Sequence, residues 1–132
     1  MRYMSFVISS SDVPPTQELM EAMGKLTERE IKAGRLLDMG GLMPIDRGTR
    51  VTLKKGKLAV TDGPFTEAKE VVGGYAVFEF ATREHAVAAA VEFMDLHKQF
   101  CPGWEGLCEV REIMSEGAQG SCGAQVGVTS AA

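Results

Sequence analysis

Four charged side chains that could do chemistry lie in one short stretch: Asp62, Glu67, Lys69 and Glu70. Clustered carboxylates can move protons or bind hard cations, and Lys69 would offset part of their charge. A structural role is the alternative, because Glu67 and Glu70 also suit the first turn of a short helix that begins near Thr66. Spacing alone leaves a functional site and a set of solvated charges as open alternatives. We assign no metal to the cluster.

The segment that carries these charges is expected to form a rigid loop between two strands. Asp62 followed by Gly63 is typical of a turn, since Asp can hydrogen-bond to nearby backbone and Gly tolerates unusual dihedral angles. Pro64 fixes its own φ and restricts the residue before it. Phe65 is expected to anchor the loop. Such preorganisation is typical of a binding site, although a hairpin-like connection would show the same pattern.

These residues also carry a resemblance to a known family. Asp-Gly-Pro-Phe-Thr-Glu-Ala-Lys-Glu at 62–70, followed by Gly73-Gly74-Tyr75, resembles the signature of DGPF-type proteins of the YCII-related family. The similarity covers roughly residues 2–113 and includes three further segments in the family's order: Ala33-Gly34-Arg35-Leu36, Gly41-Leu42-Met43-Pro44 and Glu109-Val110-Arg111.

The resemblance implies a ferredoxin-like domain that pairs into a dimeric α/β barrel. Members of the family are associated with alternative sigma factors of the extracytoplasmic-function type. Some members of the wider family resemble enzymes that use a His–Asp pair, whereas the first histidine of this chain is His85. The first helix therefore has no histidine to supply, and the resemblance implies no particular reaction.

Composition excludes several classes of function. A chain of 132 residues with 45% hydrophobic residues fits one domain with a core of ordinary size. The formal net charge of −4, without a Lys/Arg cluster, argues against a nucleic-acid surface. The mixed apolar run at residues 1–10 is too short for a signal peptide or a membrane span. We expect a cytoplasmic protein with neither nucleic acid nor membrane as partner.

No cofactor is expected. The sequence contains no phosphate-binding loop, no dinucleotide glycine fingerprint and no Gly-x-Ser-x-Gly motif. Its cysteines, Cys101, Cys108 and Cys122, are odd in number and lack CxxC spacing, so we expect free thiols rather than a disulfide framework or a zinc site. His97 and Cys101, four residues apart on one helix, could chelate a soft metal, but a core histidine with one backbone partner is the better interpretation. Trp104 is expected to cover the end of that helix.

Hydrophobic periodicity predicts the secondary structure. Alternation predicts strands at 2–9 and 73–80, and helical spacing predicts one helix after Pro14-Pro15-Thr16 and another that begins after Thr82. The remaining predicted strands are 36–42, a hairpin around Lys55-Gly56, and 107–113. The predicted fold class is α+β: a ferredoxin-like βαββαβ domain with an inserted β-hairpin and both helices on one face of an antiparallel sheet.

One face of this sheet is predicted to lack a cover. We assign Tyr3, Ser5 and Val7 to that face, with the alternate set on the helix side. A second copy of the chain would cover the face and enclose a cavity lined by Tyr75, Glu79 and Arg111. A homodimer is therefore expected. The domain is predicted to span residues 1–114, and the Ser- and Gly-rich segment 115–132 is predicted to be a flexible or partner-docking tail.

Two functions follow from this sequence. In the first, the dimer cavity binds a small organic molecule, with Tyr75, Glu79, Lys69 and Phe65 as binding residues; if it is an enzyme, Asp62 or Glu70 moves a proton and Arg111 stabilises an anion. In the second, the protein is a non-catalytic regulatory or accessory module associated with an extracytoplasmic-function sigma factor. A desolvated loop carboxylate would favour the enzyme, and outward carboxylates would favour the module.

Overall fold

The computed structural model describes residues 1–63 and 71–115, which form a mixed α+β structure. The two helices are α1 (Gln17–Lys32) and α2 (Arg83–Phe100), and a 3₁₀ turn covers Ile45–Arg47. The strands are β1 (Arg2–Ser9), β2 (Leu36–Gly41), β3 (Thr49–Lys54), β4 (Lys57–Asp62), β5 (Val71–Glu79) and β6 (Gly106–Glu112). Each predicted element occurs in this order, with boundaries that differ by a few residues.

The strands form two antiparallel sheets. Four of them make one sheet in the order β2-β5-β1-β6, and within the described residues β3 pairs with β4 in a separate two-stranded sheet. In the larger sheet, the strands nearest in sequence to each helix are not neighbours, so each helix crosses from one strand to another over the same face. This arrangement is compatible with a ferredoxin-like fold that carries an inserted hairpin.

Both helices begin at a threonine, as the sequence predicts. The side chain of Thr16 accepts a hydrogen bond from the backbone N–H of Leu19, and Thr82 accepts one from the N–H of His85. Helix α1 ends just before Gly34, whose φ of +77° lies in the left-handed region that favours glycine. Local sequence signals are therefore sufficient to define the start of each helix.

The inserted hairpin turns at Lys55 and Gly56, with φ values of +51° and +77°. Two consecutive positive φ angles match the right-handed twist of the flanking strands, which explains the tight connection. At the opposite end, the N–H of Gly63 donates to the Gly48 carbonyl at 2.9 Å. The hairpin is thus closed at both ends by backbone geometry.

The core lies between the larger sheet and α2. Tyr3, only 2% exposed, packs with Phe80 and Ala86, and Phe78 and Val110 border this cluster. The prediction that Tyr3, Ser5 and Val7 lie on the uncovered face is therefore wrong. Burial under α2 also raises the pKa of the Tyr3 hydroxyl, mainly through desolvation. The physical reason is steric. Ser5 and Val7 lie opposite the small residues Ala76 and Gly74, so this face of the sheet leaves room for the helices to pack on it.

Part of the predicted site and the tail lie outside the described residues. These are Phe65, Glu67, Lys69 and Glu70 of the loop, and residues 116–132. Among the residues that the structure does describe, neither helix combines the length and the apolar character needed to cross a membrane.

Candidate functional site

The sheet face opposite the helices is largely apolar at its centre and polar at its edges. Strand pairing places β1, β5 and β6 residues in rows across it, and we call this surface the open sheet face. Its apolar members include Met4, Phe6, Ile8, Tyr75, Val77 and Leu107, and its polar members include Arg2, Glu79, Glu109 and Arg111. One face therefore carries the predicted binding residues Tyr75 and Glu79 and the predicted catalytic residue Arg111. The β1 residue that lies among them on this face is Phe6 and not Tyr3.

Arg111 is held in place by its neighbours on that face. Its Nε donates to Oε2 of Glu109 at 2.9 Å, and its Nη2 donates to the same oxygen. The guanidinium carbon also lies 5.6 Å from the centre of the Phe6 ring, which is cation–π geometry. These bonds use Nε and Nη2, and Nη1 makes no hydrogen bond within residues 1–63 and 71–115. Arg111 can therefore receive an anion without leaving Glu109.

Tyr75 is half-buried and lies beside the smallest residue of the neighbouring strand. It pairs with Phe6 on one side and with Gly40 on the other. A Cβ at position 40 would lie 2.9 Å from Cε1 of the Tyr75 ring, so only glycine gives the ring this position. Tyr75 and Phe6 thus supply adjacent aromatic surface for an apolar group.

Glu79 lies at the end of the sheet and already has a cationic partner. The Met1 ammonium group donates to Oε2 of Glu79 and also to the Phe80 carbonyl, the latter at 3.1 Å. Both Met1 and Glu79 are about half exposed. Glu79 is therefore engaged at the edge of the open sheet face rather than at its centre.

Asp62 is separated from these residues by its secondary structure. It is the last residue of β4, in the two-stranded sheet, and its exposed carboxylate accepts a hydrogen bond from the Thr49 hydroxyl at 2.7 Å. Strand pairing places Thr49 and Asp62 opposite each other at the base of the hairpin. In the single chain, the described member of the predicted carboxylate pair points outward and is not in a desolvated pocket.

Two pockets lie elsewhere on the described surface. The first, about 460 Å³, runs between the helices and includes Leu26, Arg29 and Glu92. The second, about 380 Å³, lies at the end of α2 and includes His97, Cys101 and Trp104. Neither contains a predicted site residue, so neither is the predicted cavity.

The environment of His97 is that of a core histidine. Its ring is 7% exposed, its Nδ1 lies 3.1 Å from the Phe93 carbonyl oxygen, and its centre is 4.4 Å from that of the Trp104 ring system. Trp104 covers the end of α2, as expected. Cys101 is buried and its thiol donates to the Pro14 carbonyl, while burial raises the pKa of the Cys108 thiol. Both thiols are free.

A charged cluster ties the two helices to the start of β2. The carboxylate of Glu30 accepts two bonds from Arg35, at 2.7 and 2.8 Å, and one from Arg29. Arg29 also forms a bidentate pair with Glu92 of α2. The hydrogen bonds from Arg35 are the main cause that lowers the pKa of Glu30 to about 2, against the opposing effect of its burial. The cluster stabilises the helix layer and lies on the side of the sheet away from the open face.

Sequence reasoning misses one residue of the open sheet face, Phe6, and gives no chemical role to another, Glu109. Alternation in β1 predicts Phe6 on the helix side, whereas Glu109 shares a strand face with the predicted site residue Arg111. The signal for Phe6 lay in the strand opposite: Tyr75 and Val77 match Phe6 and Met4 in size, whereas Gly74 and Ala76 match the small set that includes Ser5 and Val7. The spacing of two between Glu109 and Arg111 places both on one face of β6.

Fold and site together define a small α+β domain with helices on one face of a four-stranded antiparallel sheet and a mixed apolar and charged opposite face that no described element covers. The chain belongs to the YCII-related domain family, which it matches over residues 1–116. A search of curated proteins finds no match to this chain.

Proposed function

We propose that this protein is a cytoplasmic homodimer whose open sheet face binds a small organic anion that has an aromatic or apolar part. The carrying observation is the cluster of Phe6, Tyr75 and Arg111, where an oriented guanidinium adjoins aromatic surface. Sites for small molecules combine apolar walls with a few polar groups in this way. The cavity itself would form when a second copy covers the face as a dimeric α/β barrel of the DGPF type.

Dimerisation is supported by the amount of apolar surface that one chain leaves open. Met4, Phe6 and Ile8 are only partly buried, and Leu107 is 43% exposed. A sheet face of this composition is commonly covered by a second sheet. Sedimentation equilibrium at micromolar concentration should give a dimer, and Phe6→Glu should give a monomer. Val91→Glu, which changes an exposed apolar residue of α2, is the matched control and should remain dimeric. A monomeric wild-type chain would refute the homodimer.

Ligand binding has a separate test. Benzoate and benzyl alcohol share a ring and differ in the carboxylate that Arg111 would bind. We expect Arg111→Gln to weaken benzoate binding at least about tenfold, since a charge-assisted hydrogen bond contributes about 1.5–3 kcal/mol, and to leave the affinity for benzyl alcohol unchanged. Arg83→Gln, at the exposed start of α2, should change neither. Equal benzoate affinity in wild type and Arg111→Gln, by calorimetric titration, would remove Arg111 from the site.

Catalysis within this proposal requires that dimer closure brings Asp62 or Glu70 out of water and beside the ligand. The exposure of Asp62 in the single chain favours the alternative, a non-catalytic module associated with an extracytoplasmic-function sigma factor. Asp62→Asn separates them: an enzyme loses turnover and keeps its fold, whereas a module keeps the affinity for its protein partner unless Asp62 contacts it.

A further inference from the structure

The inserted hairpin presents a second apolar surface that no described residue covers. Val51 and Leu53 of β3 lie opposite Val60 and Leu58 of β4, so the four side chains share one face. We call it the hairpin apolar face. Their exposures run from 66% to 73%, the highest among the large hydrophobic residues described. Every residue from 51 to 60 is exposed.

A hairpin with this exposure needs a partner surface. Two strands alone are at best marginally stable in water, and they become stable when their apolar face packs on another layer. The backbone bond between Gly63 and Gly48, and the close approach of Gly63 to Asp46, fix the base of the hairpin to the 3₁₀ turn. The hairpin is therefore anchored at its base, and its apolar side is exposed.

We infer that the hairpin apolar face packs on the same face of the hairpin in a second copy, in antiparallel fashion. Each face is built of a Val–Val rung and a Leu–Leu rung, so two copies related by a two-fold axis present matching surfaces. The contact rests on the proposed dimer for its second copy, and it adds a surface that the open sheet face does not contain.

Charge favours this antiparallel arrangement. The tip carries Lys55 at its turn, whereas Lys54 and Lys57 pair on the face opposite the Val and Leu side chains. At the base of the same apolar face lies Asp62. Five residue steps separate tip from base, about 17 Å at the rise of a strand. Two fully overlapped antiparallel hairpins would therefore bring Lys55 of each copy to Asp62 of the other.

Other occupants fit the hairpin less well. A hairpin that inserts into a membrane carries its apolar residues at the tip, but this tip is Lys54-Lys55-Gly56-Lys57, and the apolar rungs lie behind it. A nucleic-acid-binding ribbon would carry its cations along the contacting face, where this hairpin has Val and Leu. A second copy offers both a matching apolar face and, at Asp62, an anion for Lys55.

For the candidate site, the consequence is that a single chain lacks one of the groups that would surround Asp62 in the dimer. With the second hairpin in place, Asp62 loses water, keeps its bond from Thr49 and gains a lysine from the partner copy. A loop carboxylate that points outward in the single chain thus becomes part of an interface. Lys55 would then be a positioning residue for Asp62.

The first test compares two double variants by sedimentation equilibrium. Leu53→Glu with Leu58→Glu charges the hairpin apolar face, and Thr52→Glu with Ala59→Glu places the same charges on the opposite face of the same strands. We expect the first to raise the dimer dissociation constant at least tenfold and the second to change it less than threefold. Equal effects of the two, no effect of the first, or a monomeric wild type would overturn the inference.

The second test is a charge exchange. Lys55→Glu and Asp62→Lys should each weaken the dimer about fivefold or more, and the combined variant should recover most of the loss. Additive losses in the combined variant would overturn the Lys55–Asp62 pair. Phe6→Glu, measured in the same experiment, tests the open sheet face alone. If Phe6→Glu leaves the dimer unaffected while the hairpin variants weaken it, the sheet-face dimer is refuted and the hairpin contact is retained.

A measurement on the wild-type chain covers the case in which the charged variants do not fold. Hydrogen exchange of residues 49–62 should slow at least tenfold between protein concentrations below and above the dimer dissociation constant. Exchange that is independent of concentration would overturn the inference. So would protection that appears only with phosphatidylserine vesicles, because the occupant would then be a membrane.

Discussion

At the scale of single residues, Glu30 is the most strongly perturbed acid among those described. It is 5% exposed and accepts bonds from two arginines, and its pKa of about 2 lies well below the ordinary value of 4.5. The folded state therefore binds the proton more weakly than the unfolded state does. The stabilisation is complete above pH 4.5 and disappears as the pH falls toward 2.

Glu30→Gln should accordingly lower the free energy of unfolding at pH 7 by about 2–3 kcal/mol, because it removes a carboxylate bonded to two guanidinium groups. The difference from wild type should shrink as the pH falls from 4.5 to 2.5. Urea unfolding at several pH values measures both effects. Glu28→Gln, in an exposed pair with Lys32 at 3.8 Å, is the control and should change stability by less than about 0.5 kcal/mol. A pH-independent difference would show that the loss comes from packing alone.

Gly63 gives a second prediction at this scale. A Cβ there would lie 2.9 Å from the Asp46 carbonyl oxygen, so the hairpin base must shift. We expect Gly63→Ala to destabilise the chain by about 1 kcal/mol and to loosen the aim of Asp62. Gly24→Ala is the control, since position 24 is open on the surface of α1; it should stabilise the chain by up to about 1 kcal/mol. Thermal melts of the two variants should thus shift in opposite directions.

At the scale of elements, capping and turn signals were strong enough to predict both helices and the hairpin. Thr16, Thr82 and Lys55-Gly56 act through bonds and dihedral angles within a few residues, which a sequence shows directly. The choice of sheet face was different. Both faces of β1 carry apolar residues. The face with the bulkier apolar side chains, Met4, Phe6 and Ile8, points away from the helices. That choice depends on which residues of β5 and α2 lie opposite, and so on tertiary packing rather than on local pattern.

The placement of the candidate site shows the same limit. Alternation predicts Tyr75 and Glu79 on one face of β5, because residues spaced by two share a face of a strand, but it does not decide which face of the last strand, that of Arg111 or that of Val110, lies beside them. It did not show that Asp62 ends a strand of a different sheet, since separation of the hairpin from the larger sheet follows from long-range pairing. Residues close in sequence, such as Asp62 and Tyr75, can thus belong to surfaces that meet only in an assembly.

The contact between β2 and β5 at Gly40 can be tested at this scale. Ala at position 40 would place Cβ 2.9 Å from the Tyr75 ring, which must then rotate, whereas Gly73→Ala meets no atom within 4 Å. We expect Gly40→Ala to weaken benzoate binding at least threefold with little change in melting temperature, because the obstacle is a side chain that can move. Gly73→Ala should bind benzoate as the wild type does. Unchanged binding by Gly40→Ala would remove Tyr75 from the ligand face.

At the scale of the whole molecule, the described chain keeps few hydrophobic side chains away from water. Tyr3, Leu19, Phe80, Ala86 and Cys101 are the buried ones among the described residues. The open sheet face and the hairpin apolar face both leave Val, Leu, Phe and Met side chains partly or wholly exposed. Hydrophobic burial is the main favourable contribution to folding, so in the proposed dimer the chain would gain much of its stability from association. Its melting temperature should therefore rise with protein concentration.

The C-terminal segment gives the last prediction. Residues 116–132 consist mainly of Ser, Gly, Ala, Gln and Thr, with Val126 and Val128 as the only large aliphatic residues. Such a segment buries too little apolar surface to offset the entropy lost on ordering it. A chain truncated after Ser115 should therefore melt within about 2 °C of the full chain at equal concentration, and its dimer dissociation constant should be unchanged. If truncation instead weakens the dimer while the monomer keeps its stability, the segment docks on the second copy. A loss of monomer stability would place it on its own domain.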